Sequence, residues 1–310
     1  MKTFLLIDGH ALIYRSYFAI PPFKTKDGFP TNAIYGFFII ITKAIKDFNP
    51  SYLTILYDTP KKTFRNKLYK DYQVHRPKAQ DDMIIQIPKL KEILDKGHIY
   101  QLEKEGFEAD DIIGTITTKI SDSSIKKIIL TGDKDIFQLI NSSTYVMTPQ
   151  IGFSNAILYD DEQVMKKLNV SPSLIADYKA LAGDPSDNYP GAKGIGPKTA
   201  VKLINEYKSI ENLYKNLENI KDERVKKLLI QNEKDVLISK ELAVIKKDVN
   251  IKFDLKKSIF TGFNEKIKTE LLKLGMNGLV SRLFNNKERP INSKIKKPKK
   301  TNDEQQINLF

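Results

Sequence analysis

The sequence predicts an α/β fold in which a parallel sheet flanked by helices is followed by a mainly helical region. In the first half, short apolar segments rich in β-branched residues alternate with segments of helical spacing, a pattern typical of parallel sheets. After about residue 170 the apolar spacing is helical almost throughout. We therefore expect a sheet domain at 1–170, a helical region at 171–285 and a disordered basic tail at 286–310.

The individual elements follow from local patterns. Strands are predicted at 3–7, 52–57 and 128–130, and helices at 33–48 and 112–120. The helical region opens at Ser171-Pro172, because serine caps a helix and proline suits its first turn. Gly183 ends that helix, whose apolar face consists of Leu174, Ile175, Tyr178 and Leu181.

The composition excludes several classes of site. The chain has 310 residues, no cysteine and only three histidines, so thiol catalysis, disulfides and thiolate or histidine-rich metal sites are excluded. The longest apolar run, at 37–41, is far shorter than a membrane span, and no signal-peptide core is present. We expect a cytoplasmic protein without a membrane partner, in which oxygen atoms hold any metal.

The basic excess is concentrated in two segments. The formal net charge is +13. Segments 61–78 and 286–301 each have seven basic residues against one acidic residue. If the lysine content reflected only an AT-rich genome, the basic residues would be distributed more evenly along the chain. Their clustering therefore favours a polyanionic partner.

Acidic residues follow the predicted strands. Asp8 and Asp58 each come directly after a strand, and Asp133 and Asp135 follow the strand at 128–130. Ligand sites of open α/β sheets lie beyond the carboxyl ends of the strands, so we expect these acids to converge. Further acids stand at a helix start and in a later loop: Glu108, Asp110, Asp111, Asp184 and Asp187.

Each acid alone is more typical of a helix cap or a turn. Together they would repel one another, by roughly 4 kcal/mol for a pair about 4 Å apart at an effective dielectric constant of 20. Hard divalent cations such as Mg²⁺ or Mn²⁺ are the natural counter-ions for such a crevice. An acidic metal crevice beside a basic segment indicates phosphodiester hydrolysis by two metal ions.

Seven motifs carry a resemblance to a known family. They read Leu-Leu-Ile-Asp8-Gly, Tyr-Arg15-Ser-Tyr-Phe-Ala, Tyr-Asp58, Phe-Arg65-Asn-Lys-Leu-Tyr, Glu108-Ala-Asp110-Asp111-Ile-Ile-Gly, Thr-Gly-Asp133-Lys-Asp135 and Gly-Asp184-Pro-Ser-Asp187-Asn. From residue 1 to about 285, the chain resembles the 5′–3′ exonuclease domain of bacterial DNA polymerase I, within the flap endonuclease superfamily. The resemblance implies a PIN-like sheet domain, a helix-hairpin-helix (H3TH) DNA-binding region, and two divalent cations held by the nine acids named above.

The same resemblance assigns catalytic cations and shows one departure. It implies catalytic roles for Arg15 and Arg65. Gln73 stands where family members usually have a lysine directed at the scissile phosphate, and Lys67 or Lys70 would then supply that charge. We expect an active but slower enzyme.

Two segments are predicted to hold DNA. The family forms an arch over the active site at about 61–105, where Tyr72 and Arg76 would contact a single-stranded 5′ end; the alternative is a solvated helix with core aromatic residues. The glycine-rich stretch before the helix that begins at Pro197 resembles the family's hairpin, which holds the duplex backbone together with K⁺; a simple loop is the alternative. Its predicted DNA-binding residues are Gly191, Lys193, Gly194, Gly196, Lys198 and Thr199.

The chain ends in a short motif after the basic tail. It resembles the pentapeptide by which bacterial replication proteins bind the sliding clamp, with Gln306, Leu309 and Phe310 as anchors; a chance match is the alternative.

The resemblance implies a monomeric, structure-specific 5′–3′ exonuclease and 5′-flap endonuclease. Its substrate would be branched or flapped duplex DNA with a 5′ single-stranded end, RNA primers included, in replication and repair. A stand-alone enzyme is expected, with a fragment of a longer polymerase as the alternative. A PIN-type ribonuclease and a non-catalytic DNA-binding relative are alternative functions.

Overall fold

The computed structural model describes residues 1–149 and 156–284 and confirms the α/β class. Its six strands are β1 (Lys2–Asp8), β2 (Tyr52–Tyr57), β3 (Tyr100–Glu103), β4 (Ile125–Leu130), β5 (Thr144–Pro149) and β6 (Ala156–Tyr159). The helices of the first half are α1 (Gly9–Ala19), α2 (Asn32–Phe48), α3 (Phe64–Leu68), α4 (Asp81–Ile84), α5 (Gln86–Lys96), α6 (Ala109–Lys119) and α7 (Asp161–Leu168).

The second half is helical among the described residues. It contains α8 (Ile175–Ala182), α9 (Pro197–Tyr207), α10 (Ile210–Lys215), α11 (Glu223–Gln231), α12 (Glu233–Ala243), α13 (Glu265–Lys273) and α14 (Asn277–Phe284). Short 3₁₀ turns lie at Asp135–Leu139, Pro172–Leu174, Leu217–Asn219 and Leu255–Ser258. Within 1–149 and 156–284, no helix combines the length and the apolar character needed to cross a membrane.

The sheet has the order β3-β2-β1-β4-β5-β6, and only β6 runs antiparallel to its neighbour. Strand β1 is central and pairs with β2 and β4. Its side chains alternate between two cores: Leu5 and Ile7 pack with α2 and α5, whereas Phe4 and Leu6 pack with α6. Because both faces are covered by helices, the strand is apolar without interruption from Phe4 to Ile7.

The helical region forms a third core and then returns to the sheet. Leu181, Leu203 and Leu229 belong to the core built by α8 to α11. In contrast, Ile267 of α13 and Leu279 of α14 are buried in the same core as α2 and α5. The sequence analysis assigned 171–285 to one helical region, but its last two helices cover the sheet.

The predicted arch at about 61–105 also includes elements of the sheet domain. Helix α5 buries Leu90, Ile93 and Leu94 in the core, and β3 is an edge strand paired with β2. Packing on the sheet therefore limits any arch to the residues that precede α5.

Candidate metal centre

Asp8 begins the site at the end of the central strand. Its Oδ1 accepts a hydrogen bond from the Ala11 backbone N–H (3.0 Å) and caps α1, and its Oδ2 accepts one from the Thr131 hydroxyl (2.8 Å). The next residue, Gly9, has no room for a side chain, because a Cβ there would lie only 2.4 Å from the Tyr57 ring. Burial, followed by the charge of Asp58, raises the pKa of Asp8 to about 7.

Asp58, Glu108 and Asp110 lie around Asp8. The Asp58 Oδ1 accepts a hydrogen bond from the Ala109 N–H (2.7 Å), which fixes the start of α6 against the end of β2. Burial raises the pKa of Glu108 to about 7. Burial and the charges of Asp133, Asp8, Asp58 and Glu108 raise the pKa of Asp110 well above its usual value. These carboxylates therefore share one crevice.

A second group of acids adjoins the first. Asp133 belongs to the first group and connects it to the second, because its side chain accepts a hydrogen bond from the Asp135 N–H (2.7 Å). One oxygen each of Asp135, Asp184 and Asp187 lie within 4.8 Å of one another. Burial raises the pKa of Asp135 to about 7, although Lys179 opposes the rise.

The donor set fits hard divalent cations. The acids offer only oxygen, and repulsion and burial raise the pKa values of several of them. The hydroxyl of Tyr189 is buried beside the second group and has no hydrogen-bond partner within the described residues. A bound, hydrated cation would neutralise the acids and offer this hydroxyl a partner.

Asp111 is a correction to the predicted ligand set. Its side chain is fully buried and accepts two hydrogen bonds from Arg65 (2.8 and 2.9 Å) and one each from the Glu108 and Lys246 N–H groups (3.2 and 2.8 Å). Four donors saturate both oxygens. Asp111 therefore joins α6, α3 and the segment after α12, and eight acids remain as candidate ligands.

The predicted catalytic role of Arg65 is corrected by the same contacts. The side chain is 4% exposed, and its guanidinium also donates to the Leu242 and Val244 carbonyls (2.9 and 3.1 Å). Burial alone would lower the pKa of Arg65, but Glu108 and Asp111 more than offset this and raise it. Arg65 is thus a structural cation that cannot reach a phosphate.

Tyr72, which was predicted to contact the single-stranded 5′ end, faces the acids of the centre instead. It is buried, and its hydroxyl donates to Glu108 Oε2 (3.2 Å) and Asp187 Oδ2 (3.0 Å). Arg76 is half-exposed and donates to Asp187 Oδ1 (2.8 Å). Gln73, at the position of the family lysine, donates to the same oxygen (3.1 Å). The segment therefore contacts the metal centre through Asp187.

The remaining predicted cations line the surface. Lys67 on α3 and Lys70 just after it are exposed, and Arg15 on α1 is half-buried. Burial lowers the pKa of Arg15. These three cations are accessible to a ligand, in contrast to Arg65.

Most of the residues predicted to bind DNA at the hairpin are exposed. Lys193, Gly194, Gly196 and Lys198 are exposed, and Thr199 is half-buried in the first turn of α9. Gly191 is buried with φ +61°, and a Cβ there would lie 2.3 Å from the Gly183 nitrogen. Gly191 therefore shapes the loop and cannot contact DNA, which corrects that prediction.

Three residues of the centre were missed by sequence reasoning. Thr131 holds Asp8, Lys179 pairs with Asp135 and Asp184, and Tyr189 lies beside the second group. Thr131 stands within a quoted motif, but no pattern distinguishes Lys179 from a solvated helix lysine. The predicted clamp peptide with Gln306, Leu309 and Phe310 lies outside the described residues.

Comparisons with known proteins identify the family of the chain. Residues 3–169 match the family model "5′-3′ exonuclease, N-terminal resolvase-like domain", and residues 170–266 match "5′-3′ exonuclease, C-terminal SAM fold". The chain is 42% identical over 285 residues to a 5′-3′ exonuclease of Aquifex aeolicus. The aligned region covers 90% of this chain and 94% of that protein.

Longer and more distant proteins are also similar. DNA polymerase I of Bacillus subtilis is 36% identical over 283 residues, or 91% of this chain, which spans only 32% of that polymerase. A phage T5 flap endonuclease, solved in complex with DNA and metal ions, superposes with a TM-score of 0.63 at 17% identity. That match covers 92% of this chain and 97% of the phage protein and shows a shared fold.

Proposed function

The chain belongs to the 5′–3′ exonuclease family, and on that premise we propose that it is a structure-specific nuclease that removes RNA primers and 5′ flaps from branched DNA. The convergence of eight candidate ligand carboxylates at the carboxyl edge of a parallel sheet carries this proposal. The Aquifex relative is named for 5′–3′ exonuclease activity, and the phage T5 structure contains a flap endonuclease with DNA and metal ions.

The candidate ligands divide between two divalent cations, Mg²⁺ or Mn²⁺. The first cation would be held by the first group, which consists of Asp8, Asp58, Glu108, Asp110 and Asp133. The second cation would be held by Asp135, Asp184 and Asp187. Bound divalent cations in such centres lower the pKa of water and neutralise charge on the phosphate and the leaving oxygen. The protein needs no side-chain nucleophile, and Thr131 and the Ala11 N–H hold the central carboxylate in place.

Substrate contacts come from the exposed cations. Arg15, Lys67, Lys70 and Arg76 would bind the phosphates of the 5′ end near the centre. The hairpin before α9 would bind the duplex backbone through its exposed glycine N–H groups, Lys193 and Lys198, with K⁺ as the ion at the hairpin. Phosphate contacts carry no base preference, so cleavage should follow structure and not sequence.

A labelled 5′-flap duplex incubated with Mg²⁺ tests the function. We expect cleavage near the junction by the intact protein and none by Asp133→Asn. Asp122→Asn is the matched control. Asp122 is an exposed acid that precedes the start of β4, whereas Asp133 follows the end of that strand. Preferential cleavage of single-stranded RNA would favour the ribonuclease alternative. Flap binding without metal-dependent cleavage would favour a non-catalytic relative.

The C-terminal peptide provides a second contact in this proposal. Gln306, Leu309 and Phe310 would bind the replication sliding clamp and bring a monomeric nuclease to its substrate through the basic tail. Deleting residues 306–310 should abolish clamp binding while flap cleavage in free solution is retained. Unchanged clamp binding would remove this part of the proposal.

A further inference from the structure

Lys179 lies on α8, one turn before the acids that follow that helix. Its ammonium group pairs with both Asp135 Oδ1 and Asp184 Oδ2. The lysine side chain is only 17% exposed, and its two partners are 18% and 9% exposed. This is a buried ion pair and not a solvated surface contact, so removing one partner leaves an uncompensated buried charge.

The ammonium uses the acids that a divalent cation would use. Asp135 and Asp184 belong to the group of three acids whose oxygens lie within 4.8 Å of one another. Lys179 and the half-exposed Arg76, which pairs with Asp187, supply two positive charges to three carboxylates, so the group still favours a divalent ion. Metal and lysine therefore compete for the same oxygens.

The other group has no lysine at its oxygens. Within the described residues, its ion pairs are those of Arg65 with Glu108 (3.4 Å) and of His10 with Asp58 (3.9 Å), and Asp8, Asp110 and Asp133 form none. Arg65 is held by Asp111 and by two backbone carbonyls, so it is not a mobile counter-ion. In the second group, by contrast, a lysine ammonium lies directly at the oxygens that a metal would use.

We propose that Lys179 is the resident counter-ion of the Asp135–Asp184–Asp187 group, and that a divalent cation binds there only by displacing its ammonium group. This inference rests on the proposed function. It makes the second group the weaker metal site and gives the metal-free protein a folded, partly neutralised centre. The metal gains the full charge of Asp135 and Asp184 only after the lysine has left.

The displaced ammonium has an acceptor nearby. The Tyr189 hydroxyl is buried without a partner among the described residues, and the charge of Lys179 acts to lower the pKa of Tyr189 against the effect of burial. A phenol oxygen can accept a hydrogen bond from an ammonium group. Lys179 can therefore leave the carboxylates without becoming unpaired.

Replacing Lys179 by methionine tests the proposal, because methionine keeps much of the side-chain length without the charge. Mn²⁺ binding is measured on the DNA-free protein from the free-ion electron paramagnetic resonance signal. We expect the weaker of two binding steps to tighten at least tenfold. We also expect a lower melting temperature in EDTA and a larger gain in melting temperature on adding Mn²⁺.

Lys240→Met is the matched control. Lys240 pairs with Asp177 at similar burial, outside the acid groups of the centre. The Lys240→Met variant should have a melting temperature that is lowered equally with and without Mn²⁺, and its Mn²⁺ affinity should be unchanged. Lys179→Gln repeats the measurement if the methionine variant does not fold.

The outcomes separate the two proposals. Mn²⁺ affinity that is unchanged or weaker in both Lys179 variants, with normal binding by the intact protein, overturns the counter-ion role alone. Absence of divalent-ion binding by the intact protein overturns the proposed metal centre and, with it, this inference.

Discussion

Replacing Arg65 by methionine should destabilise the protein without removing a catalytic group. The substitution leaves the Asp111 carboxylate buried with only two backbone N–H donors, and it leaves the Leu242 and Val244 carbonyls without their guanidinium donors. Removing one partner of a buried ion pair costs about 3–5 kcal/mol. With a urea m-value of about 3 kcal/mol/M, the midpoint of unfolding should fall by about 1–2 M.

The assay combines urea unfolding, followed by circular dichroism, with single-turnover flap cleavage at low temperature, where the variant is folded. We expect the cleavage rate of the folded variant to stay within a few-fold of the original. Asp111→Asn added to Arg65→Met should cost less than the sum of the two single changes, because both members of the pair are then neutral.

Lys67→Met is the matched control for this test. Lys67 lies two residues away on the same helix but is exposed. Its replacement should leave the urea midpoint unchanged and slow cleavage. An Arg65→Met variant with the original midpoint and a hundredfold slower cleavage would refute the structural role of Arg65.

Four further predictions concern the centre and the DNA contacts. Mg²⁺ affinity should fall as the pH drops below about 7, because Asp8 and Glu108, with pKa values raised to about 7, then bind protons in competition with the metal. The metal-free protein should lose stability as the pH rises from about 4 to about 7, since the folded state holds the extra protons; urea unfolding in EDTA checks this. Gln73→Lys should accelerate single-turnover cleavage by up to about 10- to 100-fold. If it does not, the interpretation that Gln73 lacks the catalytic charge of the family lysine is wrong. Changing Lys193 and Lys198 to alanine should weaken binding of all DNA sequences alike and reduce the salt slope by about 2 in filter-binding assays, whereas sequence-dependent losses would contradict backbone binding.

Local sequence patterns were sufficient to predict the fold class and the edge of the sheet at which the acids lie. Apolar strands alternating with helices require a parallel sheet, and parallel strands bring residues that follow them, such as Asp8, Asp58 and Asp133, to one edge. These inferences need only local patterns and the general geometry of such sheets. The motifs then led to the family that the comparisons identify.

The division of the charged groups into those that face the centre and those that are paired inside the protein became visible in the folded structure. Asp111 and Arg65 stand in motifs beside accessible acids and cations, yet they bind each other across 46 residues of sequence. Lys179 carries no signal until α8 places it between Asp135 and Asp184. Helices α13 and α14 likewise return to the sheet through buried residues such as Ile267. Such pairings depend on distances between remote segments, and local sequence patterns do not contain those distances.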